Sequence, residues 1–152
     1  MFKTSIKNAG FKRGRQSLLM IGLVILKKYA DLGEVKKIRD YRGTIAYDTK
    51  VGILSAKKSP YGDIVSVSKQ IWDKALKENK KILLYIQSTG YIYEFDPFKI
   101  VETKMNLRGN IEMVNFDIRN GVNILRKMIQ EGSDLSNREV AQKAEFMKYN
   151  LF

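Results

Sequence analysis

The run "SLLMIGLVIL" at positions 17–26 constrains this chain more than any other feature. It carries no charge, yet it is about half the length a membrane span needs, since a spanning helix takes about 20 apolar residues. The basic "FKRGR" before it gives the look of a secretory leader. No small-residue cleavage site follows, and "KKYADLGE" continues as a helix end does. The run therefore reads as a helix from about Arg15 to Ala30, apolar almost all round and in need of cover on several sides. Gly33 lies just past its end, and Lys27 and Lys28 sit in its last turn, where the helix dipole favours cations.

A chain that must bury such a helix needs partners for it. Strand signals supply them. "EVKKIRDY" alternates weakly, whereas "GTIAYD" and "VGILSAKK" are stronger and are joined around "TKVG". "SPYGD" is a turn by composition. A second helix is expected from about Ser66 to Asn79, with Val67, Ile71, Trp72, Ala75 and Leu76 on one face and Ser66 or Ser68 as its cap. "KILLYIQS" at 81–88 reads as a buried strand, paired with "GYIYEFD" at 90–96 through a turn at Ser88–Gly90. "FKIVETKM" and "IEMVNFDI" look like further strands. Helices are expected at 122–132 and at 136–150, where Ser136 and Glu139 form a capping box. The sum is an α/β or α+β fold, a central mixed sheet flanked by helices in the order αβββαβ, continued by C-terminal strands and helices. At 152 residues the chain is expected to be one domain, with residues 1–13 as a basic N-terminal arm.

Charge narrows function. Lys plus Arg number 28 against 16 for Asp plus Glu, a net charge of +12. Such a field recruits polyanions, and nucleic acid is the expected partner, with DNA first and a membrane surface well behind. There is no cysteine and no histidine. Disulfides, Cys or His zinc sites, catalytic triads and cysteine nucleophiles are all excluded. A metal would have to be a hard ion held by oxygens, and a general base would have to be a carboxylate, Lys or Tyr. The absence of cysteine fits a cytoplasmic protein, and a virus-encoded protein acting inside a host cell would look the same.

The hairpin "IAYDTKVGILSAKKS" at 45–59 holds the candidate chemistry. Strand alternation puts Ser55 and Lys57 on one face, and a hairpin partner could lay Asp48 beside them. Phosphodiester hydrolysis needs a metal to neutralise the phosphate and a group to activate water, which carboxylates and a lysine can supply. With "YD" at 47–48, "SAK" at 55–57 and the following "VSVSKQIWDKAL", residues 15–95 resemble the PD-(D/E)XK nuclease superfamily. The resemblance implies a magnesium- or manganese-dependent endonuclease. It would place Asp48 on the metal and Lys57 on the attacking water. The family's acidic residue two before the lysine is here Ser55, so a second carboxylate would come from the next helix, where Asp73 is the candidate. The first helix offers Gln16 where family members often have an acid.

The competing readings are plainer. Asp48 could cap its turn, Asp73 could pair with Lys69 or Lys77, and Lys57 and Lys58 could protect a sheet edge. Among the basic residues, Lys12, Arg13 and Arg15 in the arm, with Lys58 and Lys69, are the expected phosphate contacts. Tyr85, Tyr91, Tyr93 and Phe95 would serve as a stacking platform or, more in keeping with their spacing, as sheet packing. Glu94 and Asp96 form a second acidic pair beside Pro97. The last helix could pack on its own domain or on a second copy, so a homodimer is also open. The chief alternative to a nuclease is a binding protein without catalysis, and Ser55 argues for it.

Overall fold

The structure is a computed structural model that describes residues 15–39 and 45–124. The first helix, α1, spans Arg15–Lys27 and continues as a turn to Ala30. Three strands follow: β1 (Lys36–Arg39), β2 (Ile45–Thr49) and β3 (Gly52–Lys57). Next come β4 (Ile64–Ser68), α2 (Lys69–Glu78), β5 (Ile82–Ile86) and β6 (Tyr91–Phe95). A short 3-10 turn at Pro97–Lys99 leads to β7 (Lys104–Arg108), β8 (Ile111–Asp117) and β9 (Val122–Asn123). The mixed six-stranded sheet runs β1-β2-β3-β5-β6-β9, and a second, three-stranded sheet runs β4-β8-β7. The fold is α+β, as the strand and helix signals predict.

The register explains why β3 and β5 are apolar on both faces. They form the parallel pair at the centre of the large sheet, and a parallel pair is covered on both sides. On one face Leu54, Ala56, Leu83 and Tyr85 pack under Leu18, Leu19, Leu23 and Leu26 of α1. On the other, Ile53, Leu84 and Ile86 meet Ile71 and Ala75 of α2 together with Val65, Val114 and Phe116 of the small sheet. Phe116 joins these layers, with ring centroids 4.9 Å from Phe95 and 5.5 Å from Trp72. Gly22 lets α1 lie close to β5, because a Cβ there would stand 2.9 Å from the Tyr85 Cβ. Met20 and Val24 of α1 remain about half exposed, so among the described residues the helix is covered on one broad side rather than on several.

The second helix starts later than its composition suggests. "IVSVS" at 64–68 is a strand, with Val65 and Val67 turned into the core. Its β-branched residues alternate with serine, which is the period of a strand and not of a helix. The expected order thus gains one strand before α2. Ser66 lies in that strand, and Ser68 is the cap: its hydroxyl accepts from the Ile71 N–H at 3.3 Å. Asn79 ends the helix in the left-handed conformation, at φ 54°. Val122–Asn123 pairs with β6 rather than opening a helix. Ile124, directly after it, is helical and buried in the α1-side core, so the expected helix at 122–132 opens two residues late. Residues 125–132, the expected helix at 136–150 and the arm at 1–13 lie outside the described residues.

Candidate nucleic-acid interface

The β2–β3 hairpin turns through Lys50 and Val51, so Thr49 stands opposite Gly52 and Asp48 opposite Ile53. Thr49 closes the turn: its hydroxyl accepts from the Val51 and Gly52 N–H groups, both at 3.2 Å, and donates to the Gly52 carbonyl. Asp48 therefore does not cap the turn. It points to the α2 side of the sheet, where the Lys80 ammonium donates to Oδ1 at 2.5 Å and Lys74 lies 3.7 Å from Oδ2. Only 13% of its side chain is exposed.

Lys57 shares that face of the sheet, as alternation predicts, but stands at the far end of β3. It is four residues beyond Ile53, the partner of Asp48, and at about 3.3 Å per residue this is roughly 13 Å along the strand. One metal shell does not reach both. Asp73 is drawn off as well: it accepts from Lys69 at 2.6 Å on the exposed side of α2, the helical pairing weighed above. The same contact raises the Lys69 pKa, chiefly through the hydrogen bond to Asp73, so Lys69 has a carboxylate partner in place of a phosphate. Asp96 pairs with Lys81 at 2.8 Å and accepts from the Phe98 N–H at 3.0 Å; its pKa is lowered, first by the lysine. Among the described residues no three carboxylates converge. Asp48 and Asp73, each already held by lysine, do not fit a magnesium or manganese site.

The end of β3 has a different setting. β3 lies inside the sheet between β2 and β5, so Lys57 and Lys58 mark a strand terminus and not a sheet edge. The turn between β5 and β6 fixes them: Gln87 N–H donates to the Lys57 carbonyl and Ser88 N–H to the Lys58 carbonyl, both at 2.9 Å. Here a groove of about 600 Å³ opens between the large sheet and the small one. Lys57 and Lys58 form one wall and Arg108, at the end of β7, the other. Ser66, Asn106 and Asn115 line its floor, and Leu18 brings the first turn of α1 to its rim. Three cations line the groove, and no carboxylate does so among the described residues.

The expected phosphate contacts divide accordingly. Lys58 lines the groove and Lys69 does not. Arg15 opens α1, whose start faces the groove, while Lys12 and Arg13 lie outside the described residues. Sequence reasoning missed Arg108 and Tyr61. Arg108 sits directly before the tight turn at Gly109 and Asn110, and Tyr61 is the residue in "SPYGD" that the turn displays, 90% exposed. The aromatics weighed as a platform are packing residues: Tyr85 and Phe95 are fully buried, and Tyr91 and Tyr93 are half-buried and meet edge to face.

A second hollow, of about 1140 Å³, adjoins the groove across Asn106 and Asn115. Its character differs. Arg119 is locked to Asp117 by paired hydrogen bonds at 3.0 and 2.6 Å, which hold the Asp117 pKa at about 2. Glu102 also lines it, so its charge is mixed, whereas the described lining of the first groove holds cations and no carboxylate.

No described helix is long and apolar enough to cross a membrane. No family model matches this chain, and neither does any curated protein or solved structure at a significant level.

Proposed function

We propose that this protein binds nucleic acid without cleaving it, and that the groove at the end of β3 is where it holds the phosphate backbone. The observation that carries this reading is the lining: Lys57, Lys58 and Arg108 around one cleft with no carboxylate among the described residues. A phosphodiester entering it exchanges water and counterions for fixed cations. The positive net charge of +12 speeds the encounter. Contacts of this kind set affinity and position, not sequence preference. DNA inside the cell is the partner we place first.

The test is anisotropy of a labelled oligonucleotide at a series of salt concentrations. Lys58→Ala and Arg108→Ala should each weaken binding and each flatten the slope of log K against log salt by about 0.7–0.9. Lys77→Ala, on the exposed side of α2, removes the same charge away from the groove and should leave the slope nearly unchanged. Equal losses in all three variants would reduce the reading to a diffuse charge effect. Magnesium- or manganese-dependent cutting by the wild type would overturn it in favour of a nuclease.

A further inference from the structure

We infer that the groove takes an unpaired nucleotide, its base stacked on Tyr61 and its phosphate held by Lys58 and Arg108, so that the protein selects single strands over duplex. This rests on the nucleic-acid reading above and names the class of strand. Three observations carry it.

The first is size. A cleft of about 600 Å³ is the scale of a site for a small ligand. It can receive a splayed nucleotide but not the width of a double helix.

The second is the ring. Tyr61 lines the groove with 90% of its surface exposed, an unusual setting for a large aromatic side chain. Its backbone is nonetheless tied into a hydrogen-bonded turn. Tyr61 N–H donates to the Ile64 carbonyl at 2.8 Å and Ile64 N–H donates back to Tyr61 at 2.9 Å. Gly62, at φ 61°, supplies the left-handed residue that this two-residue turn demands. A ring held on a fixed turn beside cations is the arrangement that stacks a base while its phosphate is neutralised.

The third is the groove floor. Asn115 donates from its amide to the Lys104 carbonyl at 3.0 Å and to Asn106 Oδ1 at 2.8 Å. A backbone carbonyl only accepts, so this contact fixes the amide's orientation. Asn115 is left with its Oδ1 acceptor and Asn106 with its Nδ2 donors. An acceptor and a donor side by side match the exposed edge of an unpaired base, which a duplex would hide.

The experiment is competition of labelled single-stranded DNA by unlabelled single-stranded DNA, single-stranded RNA and duplex DNA of equal length. It is run on the wild type, Tyr61→Ala and Tyr61→Phe. Either single strand should bind at least tenfold more tightly than the duplex, and the two single-strand arms identify which sugar is preferred. Tyr61→Ala should weaken single-strand binding by roughly 5- to 150-fold, as expected for one lost stacking contact, with the salt slope unchanged. Tyr61→Phe, which keeps the ring, should restore it. Equal affinity for duplex and single strand, or no loss in Tyr61→Ala, overturns the inference while leaving the basic groove as a phosphate site. Absence of binding to every competitor overturns the nucleic-acid reading itself.

Discussion

Replacing Asp48 by alanine separates a structural carboxylate from a catalytic one. In the fold Asp48 is a nearly covered acceptor for Lys80 at 2.5 Å, with Lys74 at 3.7 Å. A hydrogen bond to a charged group contributes about 1.5–3 kcal/mol when its loss strands a buried partner. Both lysines keep about 30% of their side chains in water, so each can turn outward once the carboxylate is gone. The expected loss is at the low end, about 1–2 kcal/mol. For a domain of this size that lowers Tm by about 3–6 °C. Asp48→Asn, which keeps an acceptor but not the charge, should lose less. Calorimetry or a thermal scan by circular dichroism measures the first effect, and oligonucleotide anisotropy with a cleavage assay in magnesium or manganese measures the second. Both variants should bind nucleic acid as the wild type does. The reasoning is refuted if Asp48→Ala leaves Tm within about 1 °C of the wild type yet abolishes a metal-dependent cleavage that the wild type shows.

Three further outcomes follow from packing, capping and charge. Gly22→Ala should gain up to about 1 kcal/mol in helix propensity but force a Cβ against Tyr85 at 2.9 Å, an overpacking that costs about 1–3 kcal/mol; denaturant melts should show a net loss. Ser68→Ala removes the acceptor for the Ile71 N–H and should lower stability by about 1 kcal/mol in the same melts. Asp117, Asp96 and Glu78 all have carboxyl pKa values held down, chiefly by Arg119, Lys81 and Lys74 respectively, Asp117 from 3.8 to about 2. A depressed carboxyl stabilises the fold above its unfolded value and loses that contribution as pH falls through its folded value. A pH series of melts should therefore fall from about pH 4 to about pH 2, and Asp117→Asn should flatten the lower part of that fall.

What was legible in the sequence was whatever neighbouring residues determine. β5 and β6, the turn between them, the buried face of α2 at Ile71 and Ala75, and the placing of Ser55 and Lys57 on one side of β3 all follow from local period and turn chemistry. The distance between Asp48 and Lys57 is likewise set by the local turn. A two-residue loop at Lys50 and Val51 sets Asp48 against Ile53 and leaves Lys57 at the other end. Sharing a face is not sharing a position. The groove was not legible, because its lining comes from distant parts of the chain: Lys57, Lys58 and Tyr61 from one, Asn106, Arg108 and Asn115 from another. The pairing of β4 with β8 brings them together, and no local pattern encodes that pairing.

That pairing also sets when the protein becomes competent. β4 is made before β8 and occupies the crossover between β3 and β5, but its only ladder partner, among the described residues, is β8. Until β8 emerges from the ribosome, the β4 segment "IVSVS" is an open ladder in search of a neighbour, exposed to pairing with other chains. Closing such a long loop is slow compared with forming a helix or a hairpin. On refolding, the large sheet and α1 should report their structure first, and affinity for an oligonucleotide should return with the slowest phase. If the groove is the phosphate site proposed above, a chain that binds an oligonucleotide has finished folding.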